Sequence, residues 1–413
     1  MCEFMTSFII EHQCPQCGAP AELEETDRLF QCGFCRVRSY LSVPDIFRYA
    51  LPHKAPAGTQ LIYVPYWRFK GMLYSCVPGS IHNRFVDISQ QAITSQCFPF
   101  SMGFRGQTQK LRFANTATQG VFLEPTVTRA NLLRSIDERL SANLGKPILH
   151  QAHIGETFSL LYAPFYLKEK VVDAVLNEAV PGSTSGAVEP LLQQPIEPNW
   201  PIGFVATLCP QCGWNLSGAK DALALTCTNC RSVWRLKHGK LEVLTTAHLS
   251  EPEENPLYLP FWRIQADITG VALNSYADFI RVANLPKVAQ KGWDERPFYF
   301  WSPAFKARPQ SYLTFAAHAT TFQVPDPLTP GLPAGSLHSV SMPLQEAIES
   351  LTLILAYFAK PRQRMEAILP QLRIAPLHAM LVYLPFREGP HELVQPSMNL
   401  AISKNLLSHA KNL

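Results

Sequence analysis

Charge of one sign is scarce in this sequence. Its 36 Lys and Arg stand against 32 Asp and Glu, a net charge of +4 over 413 residues. So small an excess gives the chain no global nucleic-acid-binding signature. Long apolar runs are missing too. None reaches the ~18 residues of a membrane-crossing helix, and the longest candidate, Ala347 to Phe358, contains Glu349 and Ser350. Met1 to Ile10 lacks the basic flank and apolar centre of a secretory signal. The sequence also lacks a phosphate loop, a dinucleotide fingerprint, a Gly-x-Ser-x-Gly elbow and a His-Glu-x-x-His motif. Its 12 histidines are scattered. His150 and His153 form the one close pair, in a context that reads as surface or turn. With 47% hydrophobic and 16% charged residues the chain is globular rather than disordered.

Two residue types are abundant. The 35 prolines disfavour long helical bundles and favour short strands and turns. Eight of the 11 cysteines form four Cys-x-x-Cys pairs, a spacing that reads as metal binding in a long intracellular chain. Cys2, Cys76 and Cys97 are left over as small buried thiols. The expected location is a reducing cytoplasm.

The pairs belong to an internal repeat. Cys14, Cys17, Cys32, Cys35 and Arg36 recur as Cys209, Cys212, Cys227, Cys230 and Arg231, a shift of 195 (209 − 14). The same shift carries Tyr63, Pro65, Trp67 and Arg68 onto Tyr258, Pro260, Trp262 and Arg263. A looser match relates Phe104-Arg105 to Phe305-Lys306 and Tyr162-Ala163-Pro164-Phe165 to Tyr383-Leu384-Pro385-Phe386. The second half has therefore gained residues, part of them in the Pro-rich stretch Val324 to Gly335. The expected fold class is α+β, mainly β, in two homologous halves. Each half is a four-cysteine ribbon followed by a β-rich body with one main helix. The boundaries read 1–45 for the first ribbon, 46–180 for the first body, 181–203 for a Pro- and Gly-rich linker, 204–240 for the second ribbon and 241–413 for the second body. Leu61 to Tyr74 reads as a strand with Leu61, Tyr63, Trp67 and Phe69 on one side. Helices are expected at about Arg129 to Asn143, Pro343 to Ala359 and Leu400 to Asn412.

Two Cys-x-x-Cys knuckles brought together by a hairpin present four thiolates to one ion. Gly18, Gly33, Gly213 and Asn229 are candidates for the tight backbone turns. A filled coordination sphere has no place for water and makes a structural site. These segments, about 10–42 and 205–238, resemble zinc ribbons of the rubredoxin-like, transcription factor IIB type, as in many uncharacterised bacterial proteins. The resemblance implies two structural Zn2+. Iron is the weaker fit, because the second knuckles lack the Cys-Pro-x-Cys-Gly pattern of rubredoxins.

Tyr-x-Pro-aromatic occurs four times, at Tyr63, Tyr162, Tyr258 and Tyr383. Proline cannot donate to a ladder, so these read as equivalent strand-start positions. Alternation places Trp67 and Trp262 in a core and Arg68 and Arg263 on the surface. The alternative is an interaction surface made by Tyr63, Trp67, Arg68, Tyr258, Trp262 and Arg263. Glu22, Glu24, Glu25 and Asp27 form an acidic hairpin tip in the first ribbon, where the second has Lys220 and Asp221. Arg36, Arg38, Arg231, Arg235 and Lys237 are candidate phosphate contacts, opposed by that acidic tip and by Glu251, Glu253 and Glu254. The expected function is a non-catalytic two-zinc adaptor or assembly protein that docks protein partners. Nucleic-acid binding is the first alternative, and an enzyme with an unrecognised site between the bodies the second.

Overall fold

A computed structural model describes residues 8–103, 110–250, 256–288, 290–359 and 364–409. Cys2, Phe104, Arg105, Glu251, Glu253, Glu254 and the end of the expected last helix lie outside them. The described residues are mainly β, with two groups of four cysteines.

The chain opens with β1 (Ile9–Gln13), β2 (Pro20–Glu24), β3 (Leu29–Gln31), β4 (Arg38–Ser42) and β5 (Phe47–Ala50). The first body follows with β6 (Ile62–Val77), β7 (Ser80–Gln91), β8 (Lys110–Phe113), β9 (Val121–Leu123), α1 (Arg129–Ser141) and β10 (His150–Leu167). Thr128 caps α1, its side chain accepting from the Asn131 amide. Then come β11 (Val171–Asp173), β12 (Glu178–Ala179), β13 (Pro195–Ile196) and β14 (Gly203–Ala206). The second ribbon contributes β15 (Ala224–Cys227), β16 (Ser232–Lys237) and β17 (Lys240–Leu244). The second body holds β18 (Thr246–His248), β19 (Leu257–Thr269), α2 (Tyr276–Val282), β20 (Phe300–Pro303), α3 (Pro309–Phe322), β21 (Thr329–Pro330), β22 (Ser336–Leu337), α4 (Leu344–Glu349) and α5 (Leu351–Phe358). Further on lie α6 (Arg364–Ile368), β23 (Arg373–Glu388), β24 (Glu392–Gln395), β25 (Leu400–Ser403) and α7 (Lys404–His409).

Three expectations about helices change. The 343–359 helix breaks at Ser350 into α4 and α5, the Ser350 hydroxyl donating back to the Ala347 carbonyl. Leu400 opens a strand, and the last helix starts only at Lys404. The second body carries several helices, α2, α3 and α5 among them, rather than one main helix.

The two bodies have the same central strand arrangement. In the first, β6 pairs antiparallel with β10 and β7 and parallel with β9, and β10 pairs parallel with β5. In the second, β19 pairs antiparallel with β23 and β20 and parallel with β22, and β23 pairs parallel with β18. The Tyr-x-Pro motifs face each other crosswise. Tyr63 lies opposite Pro164 and Pro65 opposite Tyr162, while Tyr258 lies opposite Pro385 and Pro260 opposite Tyr383. The prolines thus sit inside long strands, not at strand starts. Each carbonyl is used: Pro65 accepts from the Ala92 amide and Pro260 from the Ala304 amide, both at 2.9 Å. The indole of Trp67 donates to the Val127 carbonyl at 2.7 Å, and that of Trp262 to the Met342 carbonyl at 3.0 Å.

Strand β6 is buried along its whole length. Its odd face, Tyr63, Trp67, Phe69 and Leu73, packs with the preceding Leu61 in the core under α1. Its even face divides into three. Ile62, Val64 and Tyr66 join the first-ribbon core, while Met72, Tyr74 and Cys76 join the second-body core. Arg68 and Lys70 lie between. β10 repeats the division, with Leu161 and Ala163 in the former core and Ala152 and Ile154 in the latter. The halves therefore share a hydrophobic core. The 181–203 segment, expected as a linker, is packed on the first body: β13 pairs with β9, and Trp200 stacks on Tyr162 with ring centroids 5.2 Å apart.

At the seam, the Glu346 carboxylate at the start of α4 accepts from the amides of Gly155 and Glu156 in the β10 bulge. Burial pushes the Glu346 carboxyl up to about 7, opposed by Lys306 and reinforced by Glu156. A carboxyl with a raised folded-state pKa binds its proton more tightly in the folded chain, so stability falls as pH rises from about 4.5 through 7. We expect melting temperature to fall between pH 6 and 7.5 in the wild type. In Glu346→Gln, thermal scans across that window should show a flatter profile.

Candidate metal centres

Both cysteine sets are assembled as expected, Cys14, Cys17, Cys32 and Cys35 in one group and Cys209, Cys212, Cys227 and Cys230 in the other. In the first ribbon, the Cys14–Cys17 knuckle joins β1 to β2, and the Cys32–Cys35 knuckle joins β3 to β4. The sulfur separations are 3.7 Å for Cys14–Cys35 and for Cys17–Cys32. In the second ribbon, Cys209–Cys230 and Cys212–Cys227 are both 3.5 Å apart. A tetrahedron with metal–sulfur bonds of ~2.3 Å has edges of about 3.8 Å, whereas a disulfide needs ~2.05 Å. The spacing fits four thiolates around one ion. Such soft donors in a four-sulfur set suit zinc or iron and disfavour magnesium and calcium.

The knuckle backbones follow a common plan. Gly18 and Gly213 take positive φ (70° and 73°), and their amides donate to the carbonyls of Cys14 and Cys209. At the second knuckles the left-handed position is not Gly33 or Asn229 but Arg36 (φ 62°) and Arg231 (φ 55°). Left-handed backbone costs an L-residue ~1–2 kcal/mol, partly offset in glycine by its greater unfolded-state freedom. Arg36→Gly should therefore stabilise the first ribbon by about 0.5–1 kcal/mol, seen as slower metal loss to a competing chelator. Arg231 is the poorer test because its guanidinium donates to the Leu332 carbonyl.

The ribbons are not separate beads. Strand β14, which leads into the second ribbon, pairs antiparallel with β4 of the first, from Gly203↔Ser42 to Ala206↔Ser39. The Thr207 hydroxyl continues the contact to the Arg38 carbonyl at 3.5 Å. Leu29 and Tyr40 share one apolar cluster with Cys209, Cys227 and Trp234. The Lys220 carbonyl accepts from the amides of Arg28 and Leu29 at 2.7 and 2.8 Å, and the Tyr40 hydroxyl donates to the Ala222 carbonyl at 2.9 Å. The two hairpin tips touch each other.

The acidic tip is also not a solvated one. Glu25 is 1% exposed and Asp27 is buried. Glu25 approaches the Arg68 guanidinium at 3.5 Å and the Lys70 ammonium at 4.0 Å, and accepts from the Ser159 hydroxyl at 3.3 Å. Arg68 also pairs with Asp87 and stacks over the Phe8 ring of the first ribbon, 4.7 Å from its centroid. Burial pushes the Lys70 ammonium down to about 8 against the pull of Glu25.

All six residues of the alternative interaction surface, Tyr63, Trp67, Arg68, Tyr258, Trp262 and Arg263, are buried. The two arginines correct the expectation of surface positions. They do face away from their tryptophans, but that face is covered too. Arg68 meets Glu25, and Arg263 makes a bidentate pair with Asp326 at 2.7 and 2.9 Å while stacking on Tyr299. Of the candidate phosphate contacts, Arg231 is tied to Leu332, and Arg235 and Lys237 pair with Glu242. Arg36 and Arg38 are exposed and make no ion pair among the described residues.

Sequence reasoning did not single out the exposed apolar side chains of the knuckles. Phe34, between Cys32 and Cys35, is 71% exposed, and Trp214, two residues after Cys212, is 57% exposed. Leu208, beside Cys209, is exposed as well. An aromatic inside or next to a knuckle was the available signal. The His150–His153 pair serves the body: the His153 ring meets Asp137 of α1 at 3.0 Å. A groove of about 690 Å³ runs between the ribbons and the first body, with Arg28, Tyr40, Asp45 and His238 as its titratable lining. Asp45 is already engaged bidentately by Arg48.

Fold and site together define a mainly β chain with two zinc-ribbon-like tetracysteine centres, and no described helix is long and apolar enough to cross a membrane. Comparison with family models, curated proteins and solved structures finds no match to this chain.

Proposed function

We propose that the chain is a non-catalytic zinc-binding adaptor that docks a protein partner through the knuckle face of its paired ribbons. The observation that carries this reading is the exposure of Phe34, Leu208 and Trp214 in or beside the knuckles of two ribbons whose strands β4 and β14 pair. Exposed aromatics on a rigid frame are the usual anchors of protein interfaces. The metal in both sites is structural Zn2+: four thiolates leave no open coordination position. The halves are products of duplication, a reading supported by the shared strand order and the crosswise Tyr–Pro register. The cytoplasm is the compartment that keeps the thiolates reduced.

The test is a Phe34→Ala/Trp214→Ala variant in parallel with the wild type. It should keep two zinc ions and the wild-type melting temperature while losing the partner cross-linked to the wild type in its native host. Unchanged capture would sink the docking reading. Exposed Arg36 and Arg38 beside Phe34 favour nucleic acid as the second reading. That reading requires a salt-dependent shift of mixed single-stranded RNA at low ionic strength, abolished in the same variant.

A further inference from the structure

We propose that the first ribbon is a metal-held latch on the seam between the halves. Its buried carboxylate, Glu25, neutralises a cationic socket that the first body cannot satisfy alone. The proposal rests on both cysteine sets holding zinc.

The socket lies where the even face of β6 passes from one apolar core to the other. Arg68 is 5% and Lys70 0% exposed, and the Lys70 ammonium has no hydrogen-bond partner among the described residues. Thr157 and Ser159 of β10 lie alongside, and Lys306 reaches Thr157 from the second body at 3.4 Å. Glu25 stands on the turn between the two hairpins of the first ribbon. The Cys14–Cys17 and Cys32–Cys35 knuckles, tied to one ion, hold the two hairpins that frame that turn, alongside the β1–β8 pairing and the bonds from the Arg28 and Leu29 amides to the Lys220 carbonyl. Removing one partner from a buried ion cluster leaves the others buried and uncompensated, which is strongly destabilising. Losing the first-site metal therefore withdraws the charge that makes the seam tolerable.

The second half supplies an internal control. At the shift of 195 the counterpart of Glu25 is Lys220, which is exposed, and the counterpart of Lys70 is Gln265. The counterpart of Arg68, Arg263, is paired by Asp326 from its own body. The second ribbon instead docks without a buried carboxylate, through the Arg231 guanidinium on the Leu332 carbonyl and through backbone amides. The Leu223 amide donates to the Val340 carbonyl at 2.7 Å, and the Ala219 amide to the Ser339 hydroxyl at 3.0 Å. Arg68 likewise has Asp87 of its own body, so the asymmetry lies at Lys70, whose anionic partner among the described residues is Glu25 of the first ribbon. When the latch opens, the apolar end of β6 and β10, with Met72, Tyr74 and Ile154, comes away from the second body.

The experiment is hydrogen–deuterium exchange on the full chain, read at 70–77 and 150–158, with zinc content measured on each sample. Cys14→Ser/Cys17→Ser should lose one zinc and exchange at least tenfold faster in both seam segments. Cys209→Ser/Cys212→Ser should also lose one zinc but stay within threefold of wild type there. Glu25→Gln, which touches no ligand, should keep two zinc and still open the seam at least tenfold, and Lys70→Met in that background should bring exchange back towards wild type. Equal seam opening from both cysteine pairs, or a closed seam in Glu25→Gln, would overturn the latch and leave the zinc reading standing. A wild-type chain without zinc would overturn both.

Discussion

Purified under reducing conditions, the chain should carry two zinc ions per polypeptide, and Cys32→Ser or Cys227→Ser should each carry one. The expected loss is among the largest available to a single substitution in this molecule. Structural zinc in small ribbon-like units contributes roughly 10–16 kcal/mol of apparent binding free energy. The 3.5–3.7 Å sulfur separations matter here because four thiolates held that close without a cation would repel one another. Elemental analysis of the three proteins decides the stoichiometry, and the absence of iron–thiolate absorbance in the visible range decides the metal. Retention of both ions in Cys32→Ser would mean that Cys32 is not a ligand. A single ion in the wild type would mean that one ribbon is closed by other means.

Much of the frame was legible because it depends on local pattern. The knuckle spacing required the hairpins, and the constant shift from Cys14 to Arg68 anticipated the matching Tyr–Pro registers of the two long strand pairs. The strand alternation correctly grouped Leu61, Tyr63, Trp67 and Phe69 in one core. It failed at Arg68 and Arg263 because alternation separates two faces without saying that both are covered. The burial of the acidic tip was hidden for a related reason. Four carboxylates in a six-residue stretch look solvated, and only the fold brings Lys70 and Arg68 to Glu25. A signal was present in the repeat itself: at the matching places Glu25 gives way to Lys220 and Lys70 to Gln265, so the acidic residue and its cationic partner change together. The break at Ser350 was hidden because Leu, Ile and Ala continue the helical pattern across it, while the buried hydroxyl found a backbone carbonyl instead.

Tyr74→Ala should lower the stability of both halves together, by about 3–5 kcal/mol. Tyr74 belongs to the first body by sequence and to the second by packing. It is 0% exposed, its hydroxyl donates to the Pro309 carbonyl at 2.7 Å, and its ring lies 6.5 Å from that of Tyr312. Truncation removes the ring from a core built largely by α3, α5 and β19 and takes away the hydroxyl's bond to the Pro309 carbonyl, so cavity and hydrogen-bond costs add. Two independent bodies would confine the damage to one transition. A core shared between Met72, Tyr74 and Ile154 on one side and Phe261, Trp301 and Leu353 on the other should transmit it to both. Denaturant unfolding followed by hydrogen exchange at one reporter segment in each body separates the cases. Equal shifts of midpoint, in a chain whose wild type unfolds in one transition, are the expected result. A shift limited to segments before residue 198 would show that the seam couples the halves too weakly for them to fold as one unit. That coupling is also what gives the charged seam its leverage: a ribbon that holds one carboxylate in place can influence the whole chain only if the cores on either side of that carboxylate are cooperative.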